Sequence, residues 1–223
     1  MRDPRLRVER VVDEAGRQAV MQVLAATYQR EKRWITDPAD QFPPGDLARS
    51  ELSWFLVTRR GRPAGVLRVL YDPPLALYAK YHFKPIDPAL AVDDFISRNR
   101  IAEIGRFGVL RRYRRCVMVA AELMRAATAE VVARGYTHFV TDVFEDDPHS
   151  PYGFHTRVIG FHPVATHDAG ELHCQSRRIT LILDLQSAYR RLKSRGNWIY
   201  RYFTAEWDES WHRQLAGHTV LSQ

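Results

Sequence analysis

Glu103-Ile-Gly-Arg-Phe-Gly-Val-Leu-Arg-Arg-Tyr-Arg-Arg115, followed at once by an apolar-striped segment starting at Cys116, is the stretch that decides the fold. Its first half reads as a strand. By the two-residue period Glu103, Gly105, Phe107 and Val109 share one face, and Arg106 points the other way unless a bulge intervenes, for which Gly105 or Gly108 supplies the freedom. Its second half is a turn carrying arginines at 111, 112, 114 and 115. Beyond the turn, Val117, Ala120, Ala121, Met124, Ala127 and Val131 recur on one face of a helix whose C′ position falls at Gly135. A helix N-terminus carries unpaired N–H groups and a partial positive charge, so turn and helix together favour a phosphate.

Working upstream, Asp13 sits where an N-cap belongs, and Val20, Met21, Leu24 and Tyr28 predict a helix ending near Lys32. An extended start, Leu6 to Val12, precedes it, and a loop rich in Pro, Asp and Gly follows from Thr36 to Gly45. The runs Ser53–Thr58 and Ala64–Leu70 flank the turn Arg60-Gly-Arg-Pro63 and read as a hairpin. From Tyr71 to Arg100 the chain is broken by Pro73, Pro74, Pro85 and Pro88, with room for a short helix over Ala89–Ser97. Downstream come a buried strand (Thr137–Phe144), a helical turn (Tyr152–Val158), Gly160-Phe-His-Pro163 and a strand (Arg177–Asp184). From Leu185 the chain is helical and aromatic, with Trp207 and Trp211 expected on one helix face. This order predicts an α/β protein with one mixed sheet and helices on its faces: a core domain over 1–184 and a helical extension over 185–223 packed on it.

Composition narrows the function classes. The 223 residues hold 33 Lys+Arg against 26 Asp+Glu, a net charge of +7, with 45% hydrophobic residues, enough for a full core. Charged residues interrupt every apolar run, so no membrane span is expected. The first twenty residues lack an apolar signal core, and two cysteines, Cys116 and Cys174, match no disulfide scaffold or zinc spacing, so a cytoplasmic location is expected. His149, His155, His162, His167 and His173 form no i, i+4 pair on one clear helix, so no metal site is expected. The positive charge fits nucleic acid or one acidic partner; without a helix-turn-helix, zinc finger or RNA-recognition signature, no nucleic-acid role is expected.

The residues resemble the GNAT acyltransferase superfamily. Val109-Leu-Arg-Arg-Tyr-Arg-Arg-Cys-Val-Met looks like its strand-to-helix motif for the pyrophosphate of coenzyme A, and Tyr152 to Pro163 is similar to its closing aromatic and Gly-Phe element. Arg115 and Val117 stand where that motif has glycines. A narrower resemblance accounts for this: Glu103-Ile-Gly-Arg-Phe-Gly-Val is similar to the Glu-x-Ser-Arg-Phe-x-Val signature of the homoserine-lactone autoinducer synthases and the long-chain N-acyl amino acid synthases, which generally draw on acyl carrier protein. Trp34 and Arg68 look like the tryptophan and the Gly-x-x-Arg of the same group. Gly105 replaces the signature serine, and Asp46 and Glu51 only loosely mimic the autoinducer synthases' acidic cluster, which favours an amino-acid-type acceptor over S-adenosylmethionine.

The resemblance implies transfer of a fatty acyl group from an acyl carrier protein or coenzyme A thioester to an amine, with no permanently bound cofactor. It implies Glu103 and Arg106 as catalytic, Trp34, Arg68 and Phe107 as acceptor or acyl contacts, and Val109, Arg111, Arg112, Arg114 and Arg115 as the donor site. An acidic carrier protein with its phosphopantetheine arm would dock on the basic turn. Glu103 suits the base that deprotonates the amine, directly or through water; N–H groups freed by a bulge near Phe107–Val109 suit the oxyanion; Arg68 or Arg106 suits the acceptor's carboxylate. Alternatively Arg106 pairs with Glu103 and lowers its pKa. Asp142 is either a second carboxylate of the site or a cap, and Asp146 and Asp147 look like turn formers. A short-chain acetyltransferase, an autoinducer synthase and a non-catalytic basic module are the competing readings. Taken alone, Glu103 and Arg106 would be a surface ion pair, and Trp34 a packing residue.

Overall fold

Arg60 and Gly61 both adopt positive φ, 52° and 74°, the combination a two-residue type I′ turn requires, and join β2 (Leu52–Arg59) to β3 (Arg62–Tyr71). In the computed structural model, which describes residues 3–75, 81–86 and 91–217, this hairpin lies within one eight-stranded sheet. β1 (Leu6–Arg10) flanks β2. On the other side of β3 come β5 (Ile101–Val109), β6 (His138–Phe144), β8 (Arg178–Asp184), β7 (His162–His167) and the short β4 (Lys84–Pro85), in that order. Neighbours are antiparallel except β5 and β6, whose parallel pairing needs a crossover that α4 (Val117–Ala133) supplies.

The two faces of the sheet carry separate cores. The Asp13 carboxylate accepts the Gly16 N–H at 2.8 Å and starts α1 (Glu14–Leu24), which runs on into a wider π-helical turn, Ala25–Glu31. Val20, Leu24 and Tyr28 from this element pack with Trp34, Trp54, Leu56 and Val66. On the opposite face, Leu123, Met124, Ala127 and Val131 of α4 pack on Val57, Leu67, Ile104 and Phe139. α4 ends in a Schellman motif: Gly135 has φ 74°, Tyr136 N–H reaches Val131 O at 3.1 Å and Gly135 N–H reaches Val132 O at 2.9 Å.

The chain after β8 joins the α4 core. Leu185, Ala188 and Tyr189 of α5 (Leu185–Ser194), Ile199, Tyr202 and Phe203 of α6 (Trp198–Phe203) and Leu215 of α7 (Glu209–Ala216) are buried in it, and Tyr202 donates to the buried Glu122 carboxylate of α4. Residues 218–223 of the expected extension lie outside the described residues. Trp207 and Trp211 do touch, edge to face at 5.7 Å, but Trp207 precedes α7 and the two do not share a helix face.

Sequence periodicity misses β7 and β4. β7 contains Pro163 and two histidines, a composition that strand propensity does not mark, and it forms because β8 offers it an edge; a register irregularity falls between Pro163 and Ala165. The loop expected over Thr36–Gly45 contains a one-turn helix, α2 (Pro38–Gln41), and the start of a 3₁₀ turn, Pro44–Ala48; the helix expected over Ala89–Ser97 is α3 (Val92–Arg98), residues 87–90 lying outside the described ones.

Candidate active site

The site begins where the parallel pair comes apart. β5 and β6 are in register only from Ile101 opposite His138 to Ile104 opposite Thr141. Past that point β5 follows β3 and β6 follows β8, so the strands diverge into a wedge. Thr141 Oγ1 donates to Ile104 O at 2.9 Å and marks the fork. Phe107, Phe154, His155 and Phe161 form an aromatic cluster beside it.

The expected bulge is present, but not at a glycine. Val66 faces Gly108 and Arg68 faces Gly105, so Arg106 and Phe107 together oppose Leu67, and Arg106 takes the positive φ of 51°. The extra residue reverses the alternation of side chains. Gly108 turns toward Thr27 and Tyr28 in the α1 layer, whereas Phe107 and Val109 pack against the α4 core. The expected single face of Glu103, Gly105, Phe107 and Val109 is therefore corrected: the bulge splits it after Gly105. Tyr28 caps the displaced backbone by donating its hydroxyl to Phe107 O at 3.2 Å, and burial pushes that phenol up to about 12.

Arg106 does not pair with Glu103. Its Nε donates to Gln41 Oε1 at 2.7 Å and its Nη2 to Glu171 Oε2 at 2.9 Å. Glu103 is held instead by Arg68, whose Nη2 lies 3.0 Å from its Oε1, and the pair passes over Gly105, where a Cβ would stand 3.0 Å from Glu103 Oε1 and 3.1 Å from Arg68 Nη2. Burial raises the Glu103 carboxyl above the usual range; Arg68 opposes the rise, while Asp142 and Glu171 add to it. The lowered pKa expected from an Arg106 partner is thus reversed, because desolvation outweighs the attraction of Arg68. Burial also pulls Glu171 upward, but Arg106 and Arg68 outweigh it and leave that carboxyl below its ordinary value. Two carboxyls pushed apart in this way suit different roles, the raised one of Glu103 for exchanging a proton and the lowered one of Glu171 for holding the arginines as a fixed anion.

These groups surround a cavity of about 100 Å³. One wall is aromatic: Trp34 lies 4.0 Å from Phe144 between ring centroids, with Lys32 Nζ 4.1 Å over its ring and ion-paired to Asp147. On another wall Asp142 accepts the Thr180 hydroxyl at 2.8 Å and faces His167 Nε2 at 3.2 Å. Behind Phe107 lies a second cavity of about 350 Å³, which shares Tyr28, Lys32, Phe107 and Pro151 with the first. Its far wall runs from Gly108 and Val109 to Arg114, Arg115, Cys116 and Val117 at the start of α4, where no side chain among the described residues caps the free N–H groups.

The structure gathers Trp34, Glu103, Arg106 and Phe107 around the first cavity, with Arg68 behind Glu103, and Val109, Arg114 and Arg115 around the second. The arginine turn does not act as one cluster. Arg114 is already engaged by the Glu31 carboxylate (2.6 and 2.7 Å) and Val109 O (3.1 Å), Arg112 stacks on Tyr113 at 4.9 Å, and Arg111 faces a separate open groove beside Glu31 and Asp146. Tyr28, Lys32, Gln41 and Glu171 carry no signal in the sequence that assigns them to the site, Asp147 reads there only as a turn former, and His155 and His167 only as scattered histidines. Most of their site contacts span long stretches of chain, such as Tyr28 to Phe107, Lys32 to Asp147 and Gln41 to Arg106, so local pattern does not mark them.

Two cavities meeting at one bulged strand suit a two-substrate transfer, with a phosphate-bearing thioester arm on one side and an acceptor beside a basic carboxylate on the other. That arrangement places the protein among the acyltransferases. The chain belongs to the acetyltransferase (GNAT) family, whose sequence profile matches residues 17–161. Its donor substrate is accordingly an acyl thioester and its acceptor an amine. Among solved structures it is similar to FeeM, an N-acyl amino acid synthase from uncultured soil microbes, at TM-score 0.65 and 13% identity over 90% of this chain and 99% of that one. It is also similar to the ribosomal-protein-S18-alanine N-acetyltransferase of Escherichia coli (0.54, 12%, 80% and 93%) and to RimL, a ribosomal L7/L12 α-N-protein acetyltransferase, in complex with coenzyme A (0.55, 13%, 82% and 95%). At these identities the likeness is one of fold. No curated protein matches the sequence. Among the described residues no helix is long and apolar enough to cross a membrane.

Proposed function

We propose that the enzyme moves a fatty acyl group from an acyl carrier protein or coenzyme A thioester to the amine of an amino acid or of a peptide residue. The observation that carries this reading is the first cavity, in which a carboxyl with a raised pKa, Glu103, faces a space lined by both signs of charge and an aromatic wall. Asp142, Asp147 and Glu171 line it together with Lys32, Arg106 and Arg178, a mixture of charges that suits a zwitterion, while Trp34 and Phe144 suit an apolar side chain. The likeness to an N-acyl amino acid synthase over nine-tenths of the chain supports it. In the transfer, the nitrogen lone pair of the neutral amine attacks the thioester carbonyl carbon, the C–S bond breaks with its electron pair going to sulfur, and Glu103 takes the proton that the nitrogen sheds.

Incubation of the purified enzyme with acyl-carrier-protein and coenzyme A thioesters of C2 to C16 chains and mixed amino acids is expected to yield long-chain N-acyl products by mass spectrometry. Consumption of acetyl-CoA alone would sink the long-chain reading. Exposed Arg115 lines the donor side and exposed Arg111 the open groove next to it, so reversing both to Glu is expected to lower carrier-protein-dependent turnover about tenfold at low salt, with a smaller effect on coenzyme A-dependent turnover. Equal losses with both donors, measured as kcat/KM, would remove the docking role.

A further inference from the structure

His155 is fully buried, on the π turn Phe154–Ile159, yet neither of its ring nitrogens has a hydrogen-bond partner among the described residues. Unpaired buried polar groups are uncommon in folded proteins and call for an explanation, such as a ligand that supplies the missing partner. The ring is held firmly in place. Its centroid lies 5.6 Å from that of Phe107, 5.8 Å from Phe154 and 5.0 Å from Phe161, while Gly160 and Phe161 N–H both donate to His155 O, at 2.7 and 3.0 Å. It lines the cavity that holds Glu103 and leans on Phe107, the residue that separates this cavity from the donor side. The aromatic cage holds the imidazole pKa down to about 4 by desolvation, so at neutral pH the ring is uncharged, with one nitrogen donating and the other accepting.

We propose that His155 is a catalytic residue that donates a ring N–H to the carbonyl oxygen of the acyl thioester as the amine attacks. This rests on the reading that the thioester meets the amine at Phe107. The amine nitrogen forms the C–N bond, the π pair of the carbonyl moves to oxygen, and His155 hydrogen-bonds the resulting oxyanion without giving up its proton. Collapse re-forms the carbonyl, breaks the C–S bond with its electrons leaving on sulfur, and the amine proton goes to Glu103. A neutral donor fixed in an apolar cage is suited to this role. It needs no counter-ion in the free enzyme, and its hydrogen bond strengthens as charge develops on oxygen in a region of low dielectric.

The test compares His155→Phe, which fits the cage, and His155→Gln, which keeps a donor, with the wild-type enzyme, using whichever of acetyl-CoA or a long-chain acyl thioester it turns over. His155→Phe is expected to lose about 100-fold in kcat with KM within about threefold, and without any fall in Tm, since an unpaired polar group is removed. His155→Gln should recover at least about tenfold of that loss. The infrared carbonyl stretch of bound 13C-acetyl-CoA, read without acceptor, should move to higher frequency in His155→Phe. Wild-type kcat in His155→Phe, two variants equally slow, or an unmoved carbonyl stretch would each overturn the proposal. If the wild-type enzyme uses acetyl-CoA alone, the long-chain reading fails while the role of His155 is still decided.

Discussion

Replacing Glu103 by Gln lowers kcat by about 10²–10⁴-fold and leaves the protein folded. Glutamine keeps the size of the side chain and still offers an oxygen to Arg68 Nη2, which also has Glu171 at 3.9 Å, so the surroundings of β5 survive the change. What is lost is a carboxylate able to take the amine proton. Burial raises the pKa of Glu103, and its basic form accumulates only as pH climbs past that raised value. The wild-type rate therefore rises with pH along a limb displaced upward from the ordinary carboxylate range, and this limb disappears in Glu103→Gln. Acyl-transfer rates across pH, with circular dichroism on the same samples, check both parts; a variant at full rate shows that another group is the base.

Replacing Arg68 by Leu should destabilise the protein by about 3–5 kcal/mol near neutral pH, by leaving a buried carboxylate without its partner. The two side chains are 11% and 19% exposed, well inside the range where loss of a partner is felt. The effect depends on pH with a definite sign. A carboxyl whose folded pKa is raised contributes stability that is fully present below its unfolded pKa and is lost as pH rises through the folded value. Removing Arg68 raises the folded pKa of Glu103 further, so the variant's deficit shrinks as acid protonates Glu103 and grows toward alkaline pH. The acid limb of the rate moves upward with it. Urea denaturation at pH 5 and pH 8 distinguishes this from simple loss of packing, which would cost the same at both.

The segment from Glu103 to Gly135 shows how far local pattern reaches. The strand, the arginine turn, the helix stripe and the C′ glycine are all readable within a few residues of one another; the structure contains the strand as far as Gly105 in the expected alternation, the turn, the glycine, and the stripe from Ala121 on, whereas Val117, expected on it, is exposed. The bulge is readable in kind but not in place. Sequence reasoning assigns it to a glycine because glycine bears positive φ most readily, yet Arg106 bears it, held in that conformation by Gln41 and Glu171. Each of those partners lies 65 residues away along the chain. Glu103 is legible as the candidate base, but its partner is not: Arg68 reaches it only because β3 and β5 are neighbours in this register.

Most of the elements, the mixed α/β class and the family resemblance are legible in local sequence, β7 and β4 excepted, because helix and strand periods and capping residues act over a few residues. Tertiary structure decided which side of β5 each residue faces after the bulge, which arginine holds Glu103, that Arg114 is spent on Glu31, and that His155 stands unpaired at the cavity wall. Burial and ion pairing depend on groups brought together from distant parts of the chain, and a pKa is set by those neighbours; none of this is encoded in local spacing.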